Sequence, residues 1–145
     1  MVGGDRTAQV GAVLESLAAW SRVLGSERSE LFEGAHLSRS QVDALFLVAH
    51  GRTVMAPGDL SRSLGITPGA VTQLVDGLRA DGLVTQSLDP ADARRRVVTL
   101  TPNTARRLRA FEQRMVRDLA PRFADLSDSD LADLAGLLGR TQDVR

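Results

Sequence analysis

Residues 58–101 read GDLSRSLGITPGAVTQLVDGLRADGLVTQSLDPADARRRVVTLT, and this stretch decides the fold. Leu60 and Leu64 make a short apolar edge, Gly65 breaks the run, and Ile66-Thr67-Pro68 starts a new helix. Thr67 is a predicted N-cap, because its hydroxyl can accept from a first-turn N–H that has no helical partner. Pro68 suits the first helical position, where a missing N–H costs nothing. Ile66 and Val71 stand where a hydrophobic staple would put them. Val71, Leu74, Val75 and Leu78 recur at helical spacing and form a face to be buried. Gly82 follows the last turn and can take the left-handed C′ conformation. The rhythm is that of two helices joined by a tight turn.

A two-stranded ribbon follows. Leu83 to Leu88 and Val97 to Leu100 are short and rich in β-branched and apolar residues. Asp89-Pro90-Ala91-Asp92 supplies turn chemistry between them. The expected loop ends in Arg94-Arg95-Arg96. A helix-turn-helix followed by a cationic hairpin is a winged helix in outline. Its second helix offers a major-groove reader, and its loop offers arginines to phosphates or a minor groove.

Upstream, Leu37-Ser38-Arg39-Ser40-Gln41-Val42 is another helix start, with Ser38 and Gln41 as a capping box and Leu37 with Val42 as a staple. Val42, Leu45, Phe46 and Ala49 are expected to face inward, and His50 with Gly51 closes that helix. Thr53 to Met55 is a candidate edge strand before Pro57. Thr7 to about Gly34 reads as one long helix, bent or interrupted at Gly25. Its stripe is Val10, Val13, Leu14, Leu17, Ala18 and Leu24, with Trp20 off it. A small winged helix has little to cover such a stripe, which points to a partner subunit.

Downstream, Thr101-Pro102 reads as N-cap and first helical residue. Leu108, Phe111, Met115, Leu119 and Phe123 follow at near-heptad spacing, and Pro121 should kink or end that helix. Ser127 with Asp130 resembles a capping box, Leu126 with Leu131 a staple, and Leu131, Leu134, Ala135 and Leu138 form the face of a last helix.

The 58–101 stretch resembles the DNA-binding core of the MarR family of bacterial transcription regulators. The matching residues are Gly58-Asp59-Leu60, Leu64 to Pro68, Val71-Thr72, Leu74-Val75-Asp76, Leu78 and Gly82-Leu83-Val84. They continue with Asp89 to Arg94 and run on to Leu100-Thr101. An Asp-x-Arg in a wing, followed by Leu-Thr and a new helix, is a specific motif, whereas a helix-turn-helix pattern alone is weak. The order and length of the flanking segments fit as well.

The resemblance implies a mainly α fold with a small β-wing, in one domain over 1–145. The winged helix would span about 38–100. Helices at about 7–34 and 101–140 would form a dimerisation layer. It also implies a cytoplasmic, homodimeric, sequence-specific regulator of transcription, expected to repress from a pseudo-palindromic operator in double-stranded DNA. Arg94 becomes the minor-groove arginine, with Asp92 holding the loop and orienting that guanidinium. A small aromatic or anionic effector would sit between the dimer layer and the winged helix. Trp20, Phe46, His50, Phe111 and Met115 are its candidate lining, each also readable as plain core.

The reader helix should turn Gly69, Ala70, Thr72, Gln73 and Asp76 to DNA. Thr72 suits a phosphate or a thymine methyl, and Gln73 an adenine. Relatives often carry arginine at the positions of Gln73 and Gly77. Binding should therefore lean on the wing, on Arg62, and on backbone N–H groups at helix starts such as Thr67. Arg94 and Arg95 supply the wing charge, with Arg95 and Arg96 less fixed in role than Arg94, because one of the two can point back along the strand. The other reading is a winged-helix module that binds protein and has lost specific DNA binding.

Composition narrows the rest. The 145 residues hold 18 basic and 18 acidic side chains, so the net charge is zero and its distribution matters more. All the basic residues are arginines. They cluster at 94–96 and at 106, 107 and 109, while Asp125, Asp128, Asp130 and Asp133 make the C-terminal part acidic. Cysteine is absent, which excludes disulfides, thiolate metal sites and thiol redox sensing. Two separated histidines, His36 and His50, with no local ligand cluster make a weak metal site, and no motif frames a nucleophile or a phosphate loop. Neither a cofactor nor an enzyme is expected. No apolar run suggests a membrane span and no leader pattern suggests secretion.

Overall fold

The computed structural model describes residues 5–29, 37–51 and 53–142. The end of the expected first helix, at 30–34, and His36 lie outside the described residues. The order is α1 (Arg6–Ser29), α2 (Arg39–His50), α3 (Pro57–Leu64), α4 (Pro68–Ala80), β1 (Val84–Asp89), β2 (Asp92–Leu100), α5 (Pro102–Leu119), a 3-10 turn (Ala120–Phe123) and α6 (Asp128–Gln142). This is a mainly helical chain with a two-stranded antiparallel wing.

The chain divides into two compact units, residues 1–109 and 110–145. In the first, the helix starts are cut by the residues expected to cut them. Ser38 and Gln41 form a full capping box: Gln41 N–H donates to Ser38 Oγ at 3.2 Å and Ser38 N–H to Gln41 Oε1 at 2.9 Å. Thr67 Oγ1 accepts from Ala70 N–H at 3.2 Å. Asp5 caps α1 through Thr7 N–H at 3.1 Å, a cap not foreseen. Gly25 does not interrupt α1, which runs on to Ser29.

The turn between α3 and α4 is made by Gly65, whose φ of 64° is a conformation glycine adopts at little cost. Ser61 locks it, donating its hydroxyl to Ile66 O at 2.6 Å. Gly82, at φ 71°, ends α4 as expected, and Leu83 N–H reaches back to Leu78 O at 2.9 Å.

The core of this unit is Leu45, Leu60, Val71, Val75, Leu78, Val97, Val98 and Leu108, all close to fully buried. Each such side chain contributes about 1.5–3 kcal/mol of burial. Helices α2, α3 and α4 pack on one another and α2 also packs on β2. Ala49, expected inward, is exposed, because α2 is covered along Ala44, Leu45 and Phe46 rather than at its last turn. Thr53–Met55 forms no full strand. Met55 makes a single antiparallel bridge to Val98, with Val98 N–H donating to Met55 O at 2.8 Å.

The second unit holds the rest of α5, the 3-10 turn and α6. Pro121 ends the regular helix, and residues 120–123 tighten into the 3-10 turn. Ser127 and Asp130 form the expected box, with Asp130 N–H on Ser127 Oγ at 3.2 Å and Ser127 N–H on Asp130 Oδ2 at 2.9 Å.

Candidate nucleic-acid interface

The reader helix α4 divides cleanly. Val71, Leu74, Val75 and Leu78 are buried, while Pro68, Gly69, Thr72, Gln73 and Asp76 are exposed and Ala70 is half-buried. Thr72 Oγ1 donates to Pro68 O at 3.1 Å, so its hydroxyl hydrogen is spent within the helix. What it offers outward is a methyl group and an acceptor, and a phosphate bond would need the hydroxyl to rotate. Gln73 stands exposed one position on. A Cβ built on Gly69 meets nothing within 4 Å, so nothing in the unit itself demands a glycine there. A Cβ on Gly77 would lie 3.0 Å from Gln41 Nε2, which places position 77 against α2 rather than on the exposed face. Arg79, unremarked in the sequence, is exposed near the end of α4 and pairs with Asp76 at 3.5 Å.

The wing differs from expectation in one respect that matters. The arginines lie on strand β2, which begins at Asp92, and the turn shrinks to Pro90-Ala91. Successive strand side chains alternate in direction. Arg94 and Arg96 are exposed, and Arg95 between them is half-buried. Asp92 does hold the tip, but through backbone: Arg94 N–H donates to Asp92 Oδ1 at 3.0 Å. Asp89 makes a matching turn bond, accepting from Ala91 N–H at 2.9 Å.

Arg95 turns back onto the helix-turn-helix. Its Nη2 lies 2.6 Å from Asp59 Oδ2 and 3.2 Å from Val54 O, and its Nη1 lies 3.5 Å from Asp89 Oδ2. The structure thus separates Arg95 from Arg94, with which the sequence grouped it. Asp59 is the residue that sequence reasoning missed as a centre of charge. It accepts from Ala56 N–H at 2.8 Å, from Arg95, and from Arg62 on its own helix. First the Ala56 N–H, and then the two arginines, hold its carboxyl below the usual carboxylate range, against the opposing pull of partial burial. Arg62 keeps its side chain 76% exposed while making this pair. An acidic residue three positions before an arginine on a helix was legible as an i,i+3 pair; the reach of Arg95 across 36 residues was not.

The sequence model of the MarR family matches residues 37–95, from the start of α2 to the wing arginines. The fold and the family-model match together cover the reader helix and the wing. Over the matched residues this winged helix-turn-helix is similar to the MarR family. No curated protein matches the chain. A MarR family protein from Bacillus stearothermophilus is similar in structure at 20% identity, covering 98% of this chain and 96% of that one with a TM-score of 0.70. A mutant of MepR from a multidrug-resistant S. aureus clinical isolate is similar at 19% identity, with 92% and 94% covered and a TM-score of 0.72. Another S. aureus MepR mutant, bound to an oligodeoxyribonucleotide, is similar at 19% identity, with 90% and 95% covered and a TM-score of 0.57. At these identities the likeness is one of fold.

Within the first unit a cavity of about 660 Å³ opens between α1 and the start of α2. Leu17, Trp20, Leu24 and Val42 give it apolar wall, and Arg22 and Arg39 give it charge. Trp20 is the residue of the expected lining found there. Phe46 is buried and its ring stacks on His50 at 6.4 Å between centroids. Phe111 and Met115 belong to the second unit, where Phe111 is buried and Met115 half-buried. Among the described residues no cluster of His, Asp or Glu is placed to hold a metal, and no helix is long and apolar enough to cross a membrane.

Proposed function

We propose that this chain is a DNA-binding regulator of transcription that acts as a homodimer on a two-fold operator, most simply as a repressor. The observation that carries this reading is the arrangement of one exposed helix face and one exposed arginine on the same unit. The face is Gly69, Ala70, Thr72 and Gln73 on α4, capped at Thr67, and the arginine is Arg94 on the wing. A helix of this kind enters a major groove while a wing arginine lies along phosphates or a minor groove. Arg62, exposed on α3, adds a phosphate contact. The MepR mutant bound to an oligodeoxyribonucleotide shares the fold, and the family is one of transcription regulators.

The uncovered stripe on α1 supports the homodimer, and two copies would present two readers one DNA turn apart. The cavity beside Trp20, with Arg22 and Arg39 at its wall, suits a small aromatic or anionic effector that releases the DNA.

The test is footprinting on DNA beside the encoding gene, followed by titration across salt. Binding through wing arginines and helix N-termini should release counterions, so log affinity should fall with log salt at about −0.9 per neutralised phosphate. A total slope below about two in magnitude would not fit a dimer using both wings. Absence of any protected site would favour a module that binds protein instead.

A further inference from the structure

We infer that Arg95 and Asp59 form a positioning clamp, which sets the angle at which the wing presents Arg94 beside α4, and that Arg95 itself does not contact DNA. The inference rests on the DNA-binding reading above and concerns how that site is held.

The base of the wing is packed through the buried Val84, Val97 and Val98, and its outer part has little else to hold it. The wing is a two-stranded ribbon, and an isolated ribbon of that size is marginal in water. Near its base one backbone bridge, Met55 to Val98, ties it to the segment before α3. Arg94 lies four residues further out, about 13 Å along the strand. Between the two stands Arg95, whose guanidinium reaches acceptors on three separate segments. These are Asp59 on α3, the Val54 carbonyl before the bridge, and Asp89 at the end of β1. A planar fork with several donors can hold several acceptors at fixed angles, which a single ammonium cannot. Strand alternation then commits the neighbour: with Arg95 inward, Arg94 must point outward.

Asp59 carries a second arginine. Arg62 shares the carboxylate from the exposed side of α3. A phosphate that draws Arg62 away leaves Asp59 to Arg95 alone, so docking would leave the clamp in place.

The consequence has an unusual sign. Asp59 is a negative charge paired with Arg62 and Arg95, and by Coulomb's law alone its removal should tighten binding to DNA. If it positions the wing, its removal should weaken binding. The experiment titrates the full-length chain, and Asp59→Asn, Arg95→Gln, Arg95→Lys and the Asp59→Asn/Arg95→Gln double variant, on the footprinted duplex and maps each complex with hydroxyl radicals. Each single variant should lose roughly tenfold in affinity, the size of a networked contact. The double variant should lose no more than the worse single, and Arg95→Lys should recover part of the loss. Protection of the outer minor grooves should fade while that over the reader helix remains.

Asp59→Asn binding as tightly as the wild type, or more tightly, would overturn the inference. So would Arg95→Gln that lowers the salt slope by about 0.9 per site with the outer protection intact, because Arg95 would then be a phosphate contact. Should Asp59→Asn fail to fold because an amide oxygen caps the Ala56 N–H less strongly than a carboxylate, Arg95→Gln decides, since it leaves that bond alone. A wild-type chain that protects no DNA overturns the DNA-binding reading itself, and the clamp with it. A wild-type chain that binds beside an unaffected Arg95→Gln overturns the clamp alone.

Discussion

At the scale of single residues, Arg94 and Gln73 make separable contributions. Arg94 is exposed on β2 and Gln73 on α4, so neither substitution should disturb packing or move the thermal midpoint. Arg94→Ala should weaken binding to operator and to scrambled duplex alike, because phosphate and groove-shape contacts carry little base identity. Gln73→Ala should cost roughly 1–3 kcal/mol on the operator and much less on scrambled DNA, if Gln73 pairs with a base edge. Both are read by titrating the two duplexes at one salt concentration. Equal losses on both duplexes for Gln73→Ala would make it a backbone contact and move base reading to the methyl of Thr72. An Arg94→Ala chain with both affinities intact would remove the wing from the interface.

At the scale of elements, α3 is the exposed weak point, and acid should find it. Its N-terminus is half a capping box: Ala56 has no side-chain acceptor, so Asp59 alone reaches back to the Ala56 N–H. The carboxyl of Asp59 is held below its ordinary value in the folded chain. A lowered folded value means that the stabilisation is complete above the ordinary aspartate range and is lost as pH falls through and below it. Asp130 behaves in the same direction at the start of α6, through its bonds to Ser127, but it is fully exposed and screened. Asp59→Asn should therefore lower stability at neutral pH by about 1–3 kcal/mol, the worth of bonds to a charged group. It should also flatten the acid limb of the stability curve. Urea melts from neutral pH to pH 3 would measure both, and an unchanged acid limb would mean that Asp59 does not govern α3.

At the scale of the whole molecule, the question is what covers the apolar surface. On α1 of the first unit, Val10, Val13, Leu14 and Leu17 stand open to solvent, Leu14 at 60%. On α6 of the second unit, Leu131, Leu134 and Leu137 do the same. Isolated exposed leucines are ordinary, but a stripe at helical spacing is the mark of an interface. The chain should sediment as a dimer at micromolar concentration. Leu14→Glu should give a folded monomer with far-ultraviolet dichroism unchanged and operator affinity much reduced, since one reader would be left on one half-site. A wild-type monomer by sedimentation equilibrium would sink the dimer.

Much of the fold was already legible in local chemistry. Ser38 with Gln41, Thr67 with Pro68, Gly65, Gly82, and Ser127 with Asp130 set their boundaries through bonds spanning a few residues, which spacing alone reveals. The buried face of α4 followed from period 3.6 for the same reason. The limits of the wing were less legible. Asp92 to Arg96 read as loop because arginine has no strong strand preference, yet pairing with β1 draws them into the strand. Pairing then assigned each arginine its face, and only the folded neighbourhood supplied Asp59, Val54 and Asp89 as acceptors for Arg95. Local sequence determined where helices start, where turns fall and which faces are apolar, because those energies are short-range. The tertiary structure decided which arginine looks outward and which is held, because that choice depends on a carboxylate 36 residues away in the chain and 2.6 Å away in space.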